Sequence, residues 1–168
     1  MVATEWAHRA PDDVAGCVLI NTSMRPFNPF YRRLRLHNLA ALVQLVWQWR
    51  APESAERIIL RMTSNGVPDH LAVLAQWAAV RRLRPVTAHN ALRQLVAAAR
   101  YCAPSTAPIA PTLLLASRQD QLVASQCSHA IASAWSRPLA WHPTAGHDLP
   151  LDDPQWVIHA VQQWVDPS

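Results

Sequence analysis

The chain has 168 residues, of which 51% are hydrophobic and 15% charged, which is typical of one globular domain and excludes a largely disordered chain. The formal net charge is +4, and all fifteen basic residues are arginine. The only tight basic cluster, Arg81, Arg82 and Arg84, has no interleaved aromatic residues and no nucleic-acid motif around it, so we expect a solvated helix end and no nucleic-acid partner.

Cysteine usage and hydropathy narrow the class further. Cys17, Cys102 and Cys127 are odd in number and widely spaced, which predicts reduced core residues and neither a disulfide framework nor a zinc site. The N-terminal residues contain acids and no apolar run, so no secretory signal is indicated. The longest apolar run, residues 39–43 resuming at 45–47, is far shorter than the about 20 residues of a membrane span. We expect a soluble, cytoplasmic protein with no membrane span, no cofactor and no metal.

The chain begins with a helix, a turn and a strand. Residues 1–8 read as the end of a helix, and the Pro-Asp-Asp sequence at 11–13 breaks it. Cys17–Ile20 is an unbroken apolar run, which suits a strand of a parallel sheet buried on both faces.

Residues 24–103 lack strand signals and contain four helical stretches. The first, residues 39–49, is apolar nearly all round, so it must be buried or line an apolar space. The second has an apolar face at helical spacing, and Glu53 is placed to pair with Arg57 one turn later. That face consists of Ala55, Ile58, Ile59 and Met62.

The other two helices of this stretch have candidate N-caps. Asp69 can cap a helix that runs to about Leu83, and Thr87 can cap the next. The predicted inner face of the latter is Ala88, Ala91, Leu92, Leu95 and Ala99. An acyl pocket could be lined by Trp47, Trp49, Trp77 and Met62, although ordinary helix packing explains the same residues.

Alternation of strands and helices resumes after the proline-rich residues 104–111. We predict a strand at 112–116, a helix at 125–135 and a strand at 139–142. A last helix starts at the N-cap Asp153 and ends near Trp164. Three strands alternating with helices predict a parallel sheet with right-handed crossovers.

Two polar residues follow the ends of the second and third predicted strands. Asp120 comes after the second strand and His147 after the third. Ligands of open α/β sheets bind beyond the carboxyl ends of the strands, and adjacent strands lie about 4.8 Å apart. The carboxylate could therefore fix the imidazole tautomer and stabilise the imidazolium formed when the other nitrogen accepts a proton.

Structural roles are the alternatives for these residues. Asp120 could be a helix-capping or turn acid, and His147 a loop histidine with a structural hydrogen bond. Asp148 could rival Asp120, but it adjoins His147 too closely to be a good side-chain partner. Asp152 and Asp153 are better suited to capping the final helix.

Three segments resemble the α/β-hydrolase family. PTLLLASRQDQLV at 111–123 resembles its acid-bearing strand and loop, AGHDLP at 145–150 its histidine loop, and APDDVAGCVLIN at 10–21 the passage into its sixth strand. The resemblance implies a partial α/β-hydrolase fold: the last three parallel strands of the sheet, flanking helices and a helical cap insert. Residues 1–23 and 104–168 would form the core and 24–103 the cap, with Asp120 as catalytic acid and His147 as catalytic base. One departure is Ser117, where the family usually has Gly.

The family's nucleophile is missing from the sequence. A Gly-x-Ser-x-Gly elbow needs two glycines four apart, and the chain has only Gly16, Gly66 and Gly146. The resemblance implies that the elbow, the first five strands and the oxyanion loop precede residue 1.

The hypothesis is therefore the C-terminal part of an esterase-like α/β-hydrolase, which acts on ester or other acyl substrates by a Ser-His-Asp mechanism and is inactive by itself. The alternatives are a truncated relic or non-catalytic binding module, whose open strand edge could self-associate, and one half of a split enzyme. Whether the chain alone is an enzyme stays open at this point.

Overall fold

The computed structural model describes residues 1–66 and 70–166. Three parallel strands form one sheet in the order β1-β2-β3. Their bounds are Cys17–Ile20 for β1, Thr112–Ser117 for β2 and Leu139–His142 for β3. The predicted α/β class, with three parallel strands and flanking helices, is confirmed.

The helices of the described residues connect and cover these strands. Their bounds are α1 Val2–Arg9, α2 Phe30–Arg33, α3 Leu39–Trp47, α4 Pro52–Thr63, α5 His70–Leu83, α6 Ala88–Arg100, α7 Gln126–Trp135, α8 Leu149–Asp152 and α9 Pro154–Val165. Two predicted N-caps are confirmed, because the Thr87 side chain accepts from the N–H of Asn90 and the Asp153 side chain from that of Trp156. The predicted cap Asp69 lies outside the described residues.

The core lies on both faces of β2. On one face Leu114 belongs to a cluster with Ile131 and Trp135 of α7, and on the other Leu113 and Leu115 face α9. Every residue of β2 is buried, as expected for a strand covered by helices on both sides. Burying one large apolar side chain contributes about 1.5–3 kcal/mol to the free energy of folding, so packing on both faces holds β2 in a fixed position.

The two ends of the helical segment at 24–103 lie next to each other. Arg25 and Cys102 form an isolated parallel bridge, and the Ala103 N–H donates to the Arg25 carbonyl at 2.7 Å. Apart from this bridge, the secondary structure described between these two points is helical.

Ion pairs between α4 and α5 correct two predictions. Glu53 pairs with Arg82 of the neighbouring helix and not with Arg57 of its own. Arg81 pairs with Glu56 at 2.7 Å, both side chains being 11% exposed, and its guanidinium lies 4.4 Å from the Trp49 ring centroid. Since α5 packs against α4, the predicted solvated helix end is in part an interhelical contact.

The prediction for α3 allowed two alternatives, burial or the lining of an apolar space, and burial is not what the structure shows; the predicted inner face of α6 is also largely exposed. Neither helix contains a buried residue. Leu92 and Leu95 of the predicted inner face of α6 are 59% and 63% exposed, and Trp47 of α3 is 83% exposed. Cys102 is exposed as well, so only Cys17 and Cys127 are core cysteines as predicted. Periodicity identified the helices, but it does not reveal which apolar faces receive a partner.

Candidate active site

The side chains of Asp120 and His147 meet at the carboxyl edge of the sheet. Asp120 follows β2 and His147 follows β3, and these two strands are parallel neighbours. The His147 Nδ1 atom lies 2.8 Å from the Asp120 Oδ2 atom. The structure thus brings together the two residues that the sequence singled out.

The Asp120 carboxylate is buried and fixed in orientation. The residue is 1% exposed, and its Oδ1 atom accepts the N–H groups of Leu122 at 2.8 Å and Val123 at 2.9 Å. The predicted turn-acid role and the predicted pairing with His147 therefore coexist, because each uses a different oxygen. Two backbone donors on one oxygen leave the other directed at the imidazole.

His147 carries the ring nitrogen that is available for proton transfer. With the carboxylate as acceptor, Nδ1 carries the hydrogen and Nε2 keeps its lone pair. The side chain is 28% exposed, and the described residues contain no hydrogen-bond partner for Nε2.

A second Asp/His pair nearby differs in this respect. The His142 Nε2 atom lies 3.2 Å from the Asp153 Oδ2 atom, and His142 Nδ1 accepts the Ala145 N–H at 2.8 Å. Both ring nitrogens of His142 are thus occupied, and that histidine is 7% exposed. The N–H of Trp156 and, less strongly, the interaction with His142 hold the pKa of the Asp153 carboxyl below its ordinary value. Of these two histidines, His147 is the one whose second ring nitrogen has no hydrogen-bond partner among the described residues.

The side chain of Asn21, which directly follows β1, bonds the end of β2 and the loop that carries His147. This role was not predicted from the sequence. The Asn21 Oδ1 atom accepts the Ser117 N–H at 2.7 Å. Its Nδ2 atom donates to the Ser117 hydroxyl at 3.0 Å, the Gly146 carbonyl at 3.1 Å and the His147 carbonyl at 2.7 Å. The residue is 4% exposed and adopts a left-handed backbone with φ of 46°, which Asn tolerates better than most residues. An Asn directly after a buried strand was the only sequence signal for it.

The residues at the end of α4 are hydrogen-bonded to the loop that carries His147 through the side chain of Asp152. Asp152 accepts the Gly146 N–H at 2.6 Å, the Asn65 N–H at 2.9 Å and the Ser64 hydroxyl. The prediction that Asp152 caps the final helix is therefore wrong, since Asp153 alone takes that role. The carboxylate of Asp152 instead links α4 to the loop that carries His147.

Gly146 is required by a close approach to α4. A Cβ atom at this position would lie 2.7 Å from the Thr63 carbonyl oxygen and 3.0 Å from the Asn65 nitrogen, both backbone atoms. Next to it, the Asp148 N–H donates to the same Thr63 carbonyl at 2.7 Å. Burial, and to a lesser extent Asp152, raise the pKa of the Asp148 carboxyl. Asp148 is thus a partly buried loop acid, and the partner of His147 is Asp120.

An apolar cavity of about 1470 Å³ adjoins the acid loop. Leu122 and Val123, whose N–H groups hold the Asp120 carboxylate, contribute to its lining. The helical segment provides other lining residues, including Leu42, Leu45, Ile59, Met62 and Leu95. One face of α3 therefore lines an apolar space, as predicted, and Met62 lies there, whereas Trp47 is exposed to solvent.

No metal centre accompanies this site within residues 1–66 and 70–166, where no group of three or more His, Cys, Asp or Glu side chains is placed to hold an ion. Within the same residues, no helix is both long and apolar enough to cross a membrane.

Comparison with protein families identifies the family. The model described as serine aminopeptidase, S33, an α/β-hydrolase family, matches residues 1–154. The chain belongs to this α/β-hydrolase family. A comparison with curated protein sequences gives no match.

Solved structures of other α/β-hydrolases share the fold of the chain. A bacterial membrane phospholipase A superposes with a TM-score of 0.74 at 23% identity, over 99% of this chain and 53% of its own. A thermophilic esterase from Thermogutta terrifontis superposes with a TM-score of 0.66 at 19% identity, over 98% of this chain and 60% of the esterase. An α/β-hydrolase fold protein from Chitinophaga pinensis superposes with a TM-score of 0.63 at 13% identity, over 100% of this chain and 62% of its own. The chain therefore spans between half and two thirds of the length of these structures.

Proposed function

We propose that Asp120 and His147 are the acid and the base of a Ser-His-Asp hydrolase that acts on ester or other acyl substrates. The observation that carries this proposal is the 2.8 Å contact between Nδ1 and Oδ2, with the carboxylate buried and anchored by two N–H groups. In this role Nε2 of His147 accepts the proton of the attacking hydroxyl and later donates it to the leaving group, while Asp120 stabilises the imidazolium.

No Gly-x-Ser-x-Gly elbow, which would supply the serine and one oxyanion donor, occurs in the sequence. We propose that the serine and the oxyanion donors come from polypeptide outside this sequence. Residues 24–103 then act as the cap, and the apolar cavity beside Leu122 and Val123 takes the acyl part of the substrate. The free thiols of Cys17, Cys102 and Cys127 favour a reducing, cytoplasmic environment for this enzyme.

Two assays test the proposal. The 168-residue chain alone is expected to leave a chromogenic ester unhydrolysed, because loss of the nucleophile removes several orders of magnitude of rate. Turnover by this chain that disappears in His147→Ala would show that the nucleophile is within it. The second assay uses the polypeptide encoded in frame upstream, joined to this chain or co-expressed with it. Restored hydrolysis should then fall by about 10³-fold or more in His147→Ala, whereas His142→Gln, in the second Asp/His pair, should retain it.

A binding module or half of a split enzyme is the second candidate, favoured by the edge of the sheet. Within the described residues, β1 pairs with β2 only, so its other edge offers unpaired backbone groups. Self-association through β1, without any rescue by an upstream segment, would favour the binding module. Rescue by a separate chain would favour the split enzyme.

A further inference from the structure

The helix α3 presents an apolar stripe to solvent. Leu39, Val43, Val46 and Trp47 are 50%, 59%, 71% and 83% exposed. Their spacing places them on one side of the helix, and we call them the α3 stripe. A different face of α3, with Leu42 and Leu45, lines the cavity. A helix that is apolar on both of these faces needs a second apolar partner.

Exposed apolar residues concentrate in the helical segment rather than in the sheet region. Of the twenty large hydrophobic side chains that are exposed in the described residues, fourteen lie within 24–103. Phe30 and Leu36, which are 76% and 56% exposed, extend this surface on the N-terminal side of the α3 stripe. An apolar surface larger than a few hundred Å² marks an interaction site in most soluble proteins.

The charge of the chain is divided in the same way. Residues 24–103 contain twelve of the fifteen arginines and three of the eleven acids, a formal charge of +9, and the remaining residues carry −5. Helix α3 itself has no charged residue, and the exposed arginines Arg32 and Arg50 lie before and after it. The helical segment that carries the apolar stripe thus has a strong excess of positive charge.

We propose that the α3 stripe docks on an anionic lipid bilayer. A bilayer surface offers both features that this region complements, an apolar boundary for the stripe and phosphates for the arginines. Trp47, the most exposed member, suits the headgroup boundary, where Trp is enriched. At nine residues, or about 13 Å, α3 can lie in the surface without crossing it.

The position of the cavity fits this docking mode. Leu39 belongs both to the α3 stripe and to the cavity lining, so the cavity reaches the surface that would meet the lipid. An acyl chain could pass from the bilayer toward Leu122 and Val123. This last step rests on the proposed function, whereas docking itself does not need the Asp120–His147 chemistry.

Vesicle co-sedimentation of the 168-residue chain tests the proposal. We expect binding to vesicles of phosphatidylcholine mixed with phosphatidylglycerol, weaker binding to phosphatidylcholine alone, and loss of the difference at high salt, since each arginine near an anionic surface strengthens binding about fivefold. The double variant Val46→Ser/Trp47→Ser should bind at least about tenfold more weakly, because two apolar groups no longer enter the lipid. The matched control is Ile109→Ser, at a residue that is 82% exposed but remote in sequence from α3.

Several outcomes would overturn the proposal. They are an absence of vesicle binding, equal binding to both lipid compositions, and a double variant that binds as the unmodified chain does while circular dichroism shows both to be folded. Sedimentation that reveals self-association through the α3 stripe in place of vesicle binding would assign the surface to a second copy of the chain. The His147→Ala chain should bind vesicles normally, so a failure of the hydrolase proposal is distinguishable from a failure of docking.

Discussion

Replacement of Asn21 by Ala should destabilise the chain and loosen the site together. Asn21 makes four side-chain hydrogen bonds, two to Ser117 at the end of β2 and two to the loop that follows β3. Ala would leave the Ser117 N–H and the carbonyl groups of Gly146 and His147 without this partner in a buried region. Because φ at position 21 is 46°, the Ala side chain would also be strained.

The magnitude follows from these two effects. Leaving a buried polar group unsatisfied costs about 1–3 kcal/mol, and water can replace only some of the lost contacts. A left-handed backbone costs a residue such as Ala about 1 kcal/mol. We expect Asn21→Ala to lower the free energy of unfolding by about 3–5 kcal/mol, a large part of the roughly 5–15 kcal/mol of a typical domain.

Urea denaturation followed by circular dichroism measures this change. At an m-value of about 2 kcal/mol/M, the unfolding midpoint should fall by about 1.5–2.5 M. Asn21→Gly should recover about 1 kcal/mol of the loss, because glycine removes the backbone strain but not the missing hydrogen bonds. Asn90→Ala, at an exposed asparagine, is the control and should change stability by less than about 0.5 kcal/mol. A midpoint for Asn21→Ala close to that of the control would mean that these hydrogen bonds contribute little to stability.

Three further predictions follow from the loops and helices around the site. Gly146→Ala should lower the unfolding free energy by about 1–3 kcal/mol, since the new Cβ meets backbone atoms of Thr63 and Asn65. Gly66→Ala is the control and should leave the unfolding free energy unchanged, because no atom lies within 4 Å of the Cβ position there. Arg81→Ala should cost about 3 kcal/mol by leaving Glu56 buried and unpaired; a double-mutant cycle without coupling would contradict this. The pKa of Asp148 is raised in the folded state, so its charged form lowers the stability of the fold at pH values above the unfolded-state pKa. Asp148→Asn removes this charge and should therefore raise the melting temperature at neutral pH. In acid, where Asp148 is already protonated, the melting temperature should not change.

The sheet and the Asp120–His147 pair could be predicted because their signals are local. The runs at Cys17–Ile20 and Leu139–His142 coincide with β1 and β3, because short, largely apolar runs after turn residues are typical of strands in a sheet covered by helices. Asp120 and His147 could be paired from their positions after neighbouring parallel strands. Strand order and direction then fix which loops meet.

The remaining features depend on contacts that periodicity does not encode. Glu53 has a suitable partner one turn away in Arg57, yet it pairs with Arg82, because α5 lies beside α4. Asp152 resembles a helix cap in sequence but holds the backbone of Gly146, and Asn21 gave no signal beyond its residue type. Such links join segments far apart in the chain, so they appear only once the fold is known.

Nitrogen-15 NMR of the imidazole ring tests most directly whether Asp120 fixes the tautomer of His147. We expect His147 to carry its hydrogen on Nδ1, with a strongly downfield-shifted proton resonance, and Asp120→Asn to alter both features while the signals of His142 stay unchanged. A His147 ring protonated mainly on Nε2, or one indifferent to Asp120→Asn in a folded chain, would show that the carboxylate does not set the tautomer.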